Sequence, residues 1–290
     1  MYPRSFEYSA PTELAEALDL LAEMGDDVKV LAGGQSLIPL LKTRLASPPM
    51  LMDINRLPGL DRIESGNGHV EFGALVRHAD IAASEVVAAE SGAMASAAPW
   101  VSDPIVRNLG TLCGSVAHLD PEGDWASVLL ATGADVSVRS RDGGERVLPI
   151  EEFVVDMFTT ACGPTEMVTS IRVPKYERGG GNYQKLERKI GDYASVGVAT
   201  HLELDAAGAI SNAGIALTSV NAYNMKVTDA EAMLVGEHPS PELFAAAAIA
   251  AKEASNPSAD LRGSAEYKRD IVRVFTERSL AASSAAAQGQ

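Results

Sequence analysis

Eight consecutive residues constrain this chain more than any other stretch: Val30-Leu31-Ala32-Gly33-Gly34-Gln35-Ser36-Leu37. An apolar run feeds a glycine pair, two hydrogen-bonding side chains follow, and apolar residues resume. With no Cβ on either glycine, the backbone can turn through positive φ and come close to a ligand. Such a turn aims successive N–H groups into one concavity, a common way to hold a phosphate. Gln35 and Ser36 can add side-chain donors. The same residues also suit a tight strand-to-helix turn with no ligand, so this loop alone leaves both possibilities open.

A second loop of the same kind occurs at Arg107-Asn108-Leu109-Gly110-Thr111-Leu112-Cys113-Gly114-Ser115-Val116, closely followed by Asp120-Pro121-Glu122-Gly123-Asp124. Two glycine-rich, hydroxyl-bearing loops about a domain's length apart suit a ligand long enough to be gripped twice, and a dinucleotide fits. The pattern is not the Rossmann fingerprint, because the chain contains no Gly-x-Gly-x-x-Gly. It contains no Gly-Lys pair either, which excludes a P-loop.

With 290 residues, 46% of them apolar, the chain can bury a substantial core as one large domain or as two or three small ones. A formal net charge of -15 argues against a nucleic-acid or anionic-membrane partner. A pyrophosphate must then be held by local N–H groups and hydroxyls and not by a basic field. Two cysteines, Cys113 and Cys162, are too few for a disulfide scaffold and suit a reducing cytoplasm. They are also too few for one four-thiolate iron–sulfur cluster. No basic-then-apolar leader and no run of 18 apolar residues is present, so a soluble, unprocessed protein is expected.

Along the chain, residues 1–57 read as a small α/β unit. Thr12 is its candidate N-cap, Gly25 ends the first helix, and the strand Val28-Lys29-Val30 delivers the first glycine loop. Residues 58–176 read as a second unit. Its strand is at His69–Ala74, its helices at 79–90 and 122–132, its hairpin around Asp142-Gly143-Gly144, and its last strand at 166–173. Gly179-Gly180-Gly181 reads as a flexible link into a third unit, 177–282. Three strands are expected there, at 183–190, 196–204 and 210–220, then helices at 227–236, 241–255 and 264–281. Residues 283–290, small and polar, are expected to be a disordered tail.

Beyond the two loops, Tyr2-Pro3-Arg4-Ser5-Phe6-Glu7-Tyr8, Lys42-Thr43-Arg44-Leu45-Ala46, Asp103-Pro104-Ile105-Val106-Arg107 and Lys189-Ile190-Gly191-Asp192-Tyr193-Ala194 complete a collinear set. Together these resemble the FAD-binding medium subunits of the molybdenum hydroxylases over nearly the whole chain, most closely the branch serving aerobic carbon monoxide dehydrogenases. The chain departs from that branch at Gln35, where a His is usual, and at Cys113-Gly114-Ser115, where Gly-Gly-Asn is usual.

The resemblance implies an α+β fold: a two-part FAD-binding region of the vanillyl-alcohol-oxidase (PCMH) type, then a three-stranded antiparallel sheet with a helical bundle. It implies that Ala32, Gly33, Gly34, Gln35, Ser36 and Leu37, with Thr111, Leu112, Cys113, Gly114 and Ser115, hold the FAD pyrophosphate. Asp124 would accept from the ribityl chain, Lys185 would lie near the cofactor, and Tyr193 would cover the flavin ring. It further implies a molybdenum cofactor in a large partner subunit and two [2Fe-2S] clusters in a small one, assembled as a dimer of heterotrimers. Electrons would pass through FAD to an external acceptor such as a quinone, in the cytoplasm or against the inner face of the membrane.

Carbon monoxide is the first expectation for the substrate of the whole enzyme; aldehydes and N-heterocycles are the alternative. A self-contained FAD oxidase or reductase is the alternative of another class. No Ser/His/Asp order and no carboxylate pair suggests hydrolysis. His118 reads as a turn residue, Cys113 as a small apolar group, and Trp100 and Trp125 as core or interface anchors.

Overall fold

The computed structural model describes residues 2–289. Strand order in the first sheet is Glu7–Ser9, Met50–Asp53, Val28–Leu31, all parallel. Parallel neighbours need crossovers, supplied by the helices Leu14–Met24 and Leu37–Thr43. The first helix buries Ala17 and Leu21 and ends at Gly25, whose φ of 52° a Cβ would strain. Its N-cap is Glu13, not Thr12: the Thr12 N–H instead donates to the Glu16 carboxylate at 3.1 Å. This sheet's purpose for the site is local. The strand Val28–Leu31 ends where the first glycine loop begins.

The second sheet has five antiparallel strands in the order Ile63–Ser65, His69–Gly73, Met167–Pro174, Asp135–Ser140, Gly144–Pro149. The hairpin expected around Asp142 is its edge. The helix expected over 79–90 is two helices, His78–Ala83 and Glu85–Glu90, because Ser84 turns extended and its Oγ caps the second by accepting from Val87 N–H at 3.2 Å. The helix Asp124–Thr132 is buried along all nine residues. It lies between the second sheet and the third, and each fully buried large apolar residue, such as Leu129, contributes roughly 1.5–3 kcal/mol.

The third sheet runs Gly179–Leu186, Val196–Leu204, Ile210–Thr218 and a short fourth strand, Met225–Lys226, all antiparallel. Alternation along Val196–Leu204 explains its two covers: Val198 and Leu202 pack into a cluster with the C-terminal helices, while Ala199 faces the core of the first two sheets. The helices Thr228–Leu234, Pro241–Ala254 and Ala265–Ala287 cover the outer face.

Two expectations fail here. Gly179-Gly180-Gly181 is not a flexible link but the start of a strand; a Cβ on Gly180 would overlap the Ser283 carbonyl, and one on Gly181 would come within 2.6 Å of the Ala93 Cβ. Nor is 283–290 a disordered tail. The last helix continues to Ala287, and Ser283 is buried against Thr200, the two hydroxyls 2.7 Å apart. Small residues there are what let the helix approach the glycine strand. Gln290 lies outside the described residues.

Candidate functional site

Where the two glycine loops meet, backbone touches backbone. A Cβ on Gly33 would overlap the Leu109 carbonyl and stand 2.7 Å from the Gly110 Cα. Gly34 has φ 71°, the left-handed conformation that favours glycine. The contact is braced from behind by two residues that the sequence did not single out. Asn55 Nδ2 donates to the Ala32 carbonyl at 2.8 Å, and Arg77 donates both to Asn55 Oδ1 at 2.5 Å and to the Leu109 carbonyl. Each loop thus ends on one half of a single Arg–Asn clamp.

In front of this seam opens a cleft of about 710 Å³, within the range of roughly 300–1,000 Å³ usual for small-molecule sites. Of the fourteen site residues expected from sequence, all but Leu112 and Lys185 line it. Leu112 is buried behind the second loop. Gln35 is turned back on its own loop, its Nε2 donating to the Gly33 carbonyl at 3.2 Å. Thr111 Oγ1 accepts from Gly114 N–H at 3.1 Å and so caps the short helix Leu112–His118. The Cys113 thiol is buried against the Phe72 and Gly73 carbonyls, and burial pushes its pKa far up, so it packs as an inert group.

Backbone donors are the notable feature of the cleft. Among the described residues, the N–H groups of Gly33, Gly34, Gln35, Ser36 and Leu37 find no acceptor, and neither does that of Cys113. Of these residues only Cys113 is buried; the others are half-buried, and N–H groups at a helix start are left open to an acceptor from outside. Six free ones around one cleft, two of them at helix starts, form a place for an anion. The chain's -15 charge makes such neutral dipoles the available means.

Asp124 stands in the cleft wall at the start of the buried helix. Its Oδ1 accepts from Tyr183 Oη at 2.7 Å and its Oδ2 from Lys185 Nζ at 3.0 Å. Burial raises its pKa, and the Lys185 charge and the two hydrogen bonds oppose that. Lys185 is itself buried, also donating to the Trp100 carbonyl at 2.9 Å, and it stands behind Asp124 and not on the cleft. Tyr193 lies at the rim, 46% exposed, on a loop after the strand, which ends at Leu186 and not at Ile190. Gly191, with φ 91°, packs that loop onto Asp103.

The cleft's other wall came without a sequence signal: Phe158, Thr159, Thr160, Gly163, Met167 and Val168 are brought in by the turn and strand that follow the hairpin. His118 packs its ring 5.2 Å from that of Phe158 instead of serving the turn. Trp125 is fully buried, and Trp100 is partly exposed.

Comparison with known proteins decides which family the chain belongs to. Residues 4–176 match the family described as "FAD binding domain in molybdopterin dehydrogenase", and residues 181–283 match "CO dehydrogenase flavoprotein C-terminal domain". The chain belongs to the FAD-binding medium subunits of the molybdenum hydroxylases.

Among relatives of this family, the 6-hydroxypseudooxynicotine dehydrogenase complex subunit alpha of Paenarthrobacter nicotinovorans is 38% identical, over 97% of this chain and 95% of its own length. The carbon monoxide dehydrogenase medium chain of Hydrogenophaga pseudoflava is 37% identical, over 97% of each. A solved structure of carbon monoxide dehydrogenase from Hydrogenophaga pseudoflava, lacking the Mo-pyranopterin moiety of its molybdenum cofactor, superposes with a TM-score of 0.93 at 38% identity, covering 98% of each chain. Among the described residues, no group of three or more His, Cys, Asp or Glu is placed to hold a metal ion, and no helix is long and apolar enough to cross a membrane.

Proposed function

We propose that this chain carries FAD in the cleft between the two glycine loops and relays electrons through it. In that relay a small partner subunit with two [2Fe-2S] clusters is the donor, and an external acceptor such as a quinone is the sink. The row of unpaired N–H groups from Gly33 to Leu37, lining one cleft with Cys113, is the observation that carries the assignment of the pyrophosphate. Each bond to a phosphate oxygen would be charge-assisted and therefore strong. Asp124 serves the ribityl hydroxyls, since each of its oxygens keeps acceptor capacity beside the bonds from Tyr183 and Lys185. Lys185 acts on the cofactor through Asp124. Tyr193, at the rim, covers the flavin ring and governs access to it. The flavin, when bound, supplies the capacity to take and release electrons singly or in pairs; the protein supplies placement and electrostatics.

The parent complex is a molybdenum hydroxylase with a molybdenum-bearing large subunit, assembled as a dimer of heterotrimers in the cytoplasm or against the inner membrane face. Two cysteines cannot furnish a four-thiolate cluster, which is consistent with the iron being carried by a partner subunit. Ile105, in the short helix Pro104–Arg107, and Ile190, beside the Gly191 that packs on Asp103, are 75% and 88% exposed; exposed aliphatic residues near a cofactor cleft suit a docking partner.

Carbon monoxide, oxidised with water to carbon dioxide, is the first substrate assignment for the whole enzyme. An N-heterocyclic substrate is the second, favoured by the nearly equal identity to the 6-hydroxypseudooxynicotine dehydrogenase subunit. The test is flavin and metal analysis of the natively purified particle, with carbon monoxide as reductant. Iron, molybdenum and flavin together, with bleaching of the flavin band, support both role and substrate. The same metals without bleaching keep the role and remove carbon monoxide. A metal-free, flavin-loaded chain active alone overturns the relay in favour of a self-contained flavoenzyme.

A further inference from the structure

His78 is buried at the seam of the two glycine loops, and neither of its ring nitrogens is free to choose its proton. Nδ1 accepts a hydrogen bond from Trp125 Nε1 at 3.0 Å. Indole N–H is a donor only, so Nδ1 must be the bare nitrogen and Nε2 must carry the hydrogen. Trp125 is itself fully buried and cannot turn away. The backbone fixes the ring from the other side, because His78 N–H donates to the Gly110 carbonyl at 3.1 Å.

The protonated edge of the ring lies against Gly110: a Cβ there would stand 2.8 Å from Nε2. Gly110 in turn is the residue whose Cα meets Gly33 across the seam, and His78, Gly110 and Gly33 all line the cleft. Among the described residues, Nε2 has no hydrogen-bond acceptor. A side chain more than nine-tenths buried, locked in one tautomer by a core tryptophan, thus presents an unused N–H at the place where the two loops converge.

We infer that His78 is a ligand-contacting residue of the cleft, donating its Nε2–H to a phosphate oxygen of the bound dinucleotide. The assignment rests on the proposal above that FAD occupies the cleft. Burial, with the nearby Arg107 and Arg77 charges, lowers the His78 pKa to about 4, so at neutral pH the donor is uncharged. It adds one directed N–H to the backbone donors without adding a cation. An imidazole here also does what a backbone amide cannot, reaching the seam from behind Gly110, whose missing side chain leaves it the space.

The test uses the full chain labelled with ¹⁵N-histidine, stripped of flavin and titrated with FAD and separately with ADP, which keeps the diphosphate and lacks the flavin ring. His78→Gln, whose amide can still accept from Trp125 and donate toward the cleft, identifies the His78 signals by their loss. The expected result is a neutral Nε2–H tautomer in the free chain and a shift of that nitrogen on adding either nucleotide. His78→Phe should raise the FAD Kd roughly tenfold, as for one lost hydrogen bond to a charged group, and His78→Gln should recover most of that loss. A Nδ1–H tautomer, or an Nε2 signal unmoved while FAD binds, overturns the inference alone. A wild-type chain that binds no FAD overturns the assigned cleft, and this inference with it.

Discussion

Lys185 Nζ lies 3.0 Å from Asp124 Oδ2, and both side chains are almost wholly withdrawn from solvent. The pair joins the first strand of the C-terminal sheet to the helix that begins in the cleft wall, so it couples the two halves of the molecule at the site. Glu187, 3.7 Å from the same ammonium, is also largely buried, and its Oε2 has no hydrogen bond. Removing the lysine would strand two carboxylates. Lys185→Met is therefore expected to cost on the order of 3–5 kcal/mol of stability, read from urea unfolding. Adding Asp124→Asn should return part of that loss, since the partner charge goes with it. Simple additivity of the two changes would show that the pair is not coupled.

Gly33 and Gly34 are neighbours with different reasons to be glycine. At Gly33 the obstacle is backbone: an added methyl meets the Leu109 carbonyl and the Gly110 Cα, so the loops must separate. At Gly34 the obstacle is conformational, a φ of 71°, with only the flexible ends of Ile38 and Leu31 near an added Cβ. Left-handed strain costs about 1–2 kcal/mol. Gly33→Ala should thus abolish FAD binding in equilibrium dialysis, while Gly34→Ala weakens it by about tenfold. The reverse order would mean that the seam is not what shapes the cleft.

The two glycine loops were legible because glycine spacing is local information, and the hairpin and C-terminal strands followed from alternation and turn residues. What stayed hidden was set by tertiary contact. Nothing in Gly179-Gly180-Gly181 by itself distinguishes a hinge from a strand pressed against a helix; the answer lies some hundred residues later, at Ser283 and Ala287. The tail was misread for the same reason, since small polar residues look disordered until a glycine strand gives them a surface to pack on. Lys185 looked like any strand lysine, because its burial depends on Asp124 and Trp100 far away in sequence. Asn55, Arg77 and His78 carry no motif at all and gain their roles only where the loops meet.

Arg77 offers a test of how much that meeting depends on its brace. Its guanidinium joins the Leu109 carbonyl to Asn55, which holds the Ala32 carbonyl. Arg77→Met keeps much of the stem and removes the fork, leaving two carbonyls less restrained and no direct contact with the cleft altered. FAD affinity is expected to fall by roughly tenfold, with a stability loss of about 1–2 kcal/mol. Asn55→Ala should do the same, and the double variant little more than either single one, because each breaks the same clamp. Unchanged FAD affinity in all three would show that the glycine contacts alone fix the loop spacing.

Between pH 7.5 and 5, two histidines that fold uncharged should contribute acid sensitivity. Burial lowers the pKa of His78 and of His201 from the ordinary 6.5 to about 4. His201 packs 4.1 Å from the Tyr176 ring, and its Nε2 has no hydrogen-bond partner. Between pH 6.5 and 4 the unfolded chain binds protons at these positions and the native chain does not, so stability rises with pH across that window and is fully present above it. From pH 7.5 to 5 the loss is about 2 kcal/mol for each histidine, measurable as a fall in the urea midpoint at constant slope. His201→Phe keeps the ring packed on Tyr176 and removes one titration. It should lessen the pH 5 deficit by about 2 kcal/mol relative to its own value at pH 7.5. A variant with the wild-type deficit would mean that His201 is charged, or solvated, in the native state, and that its burial against Tyr176 does not hold in solution.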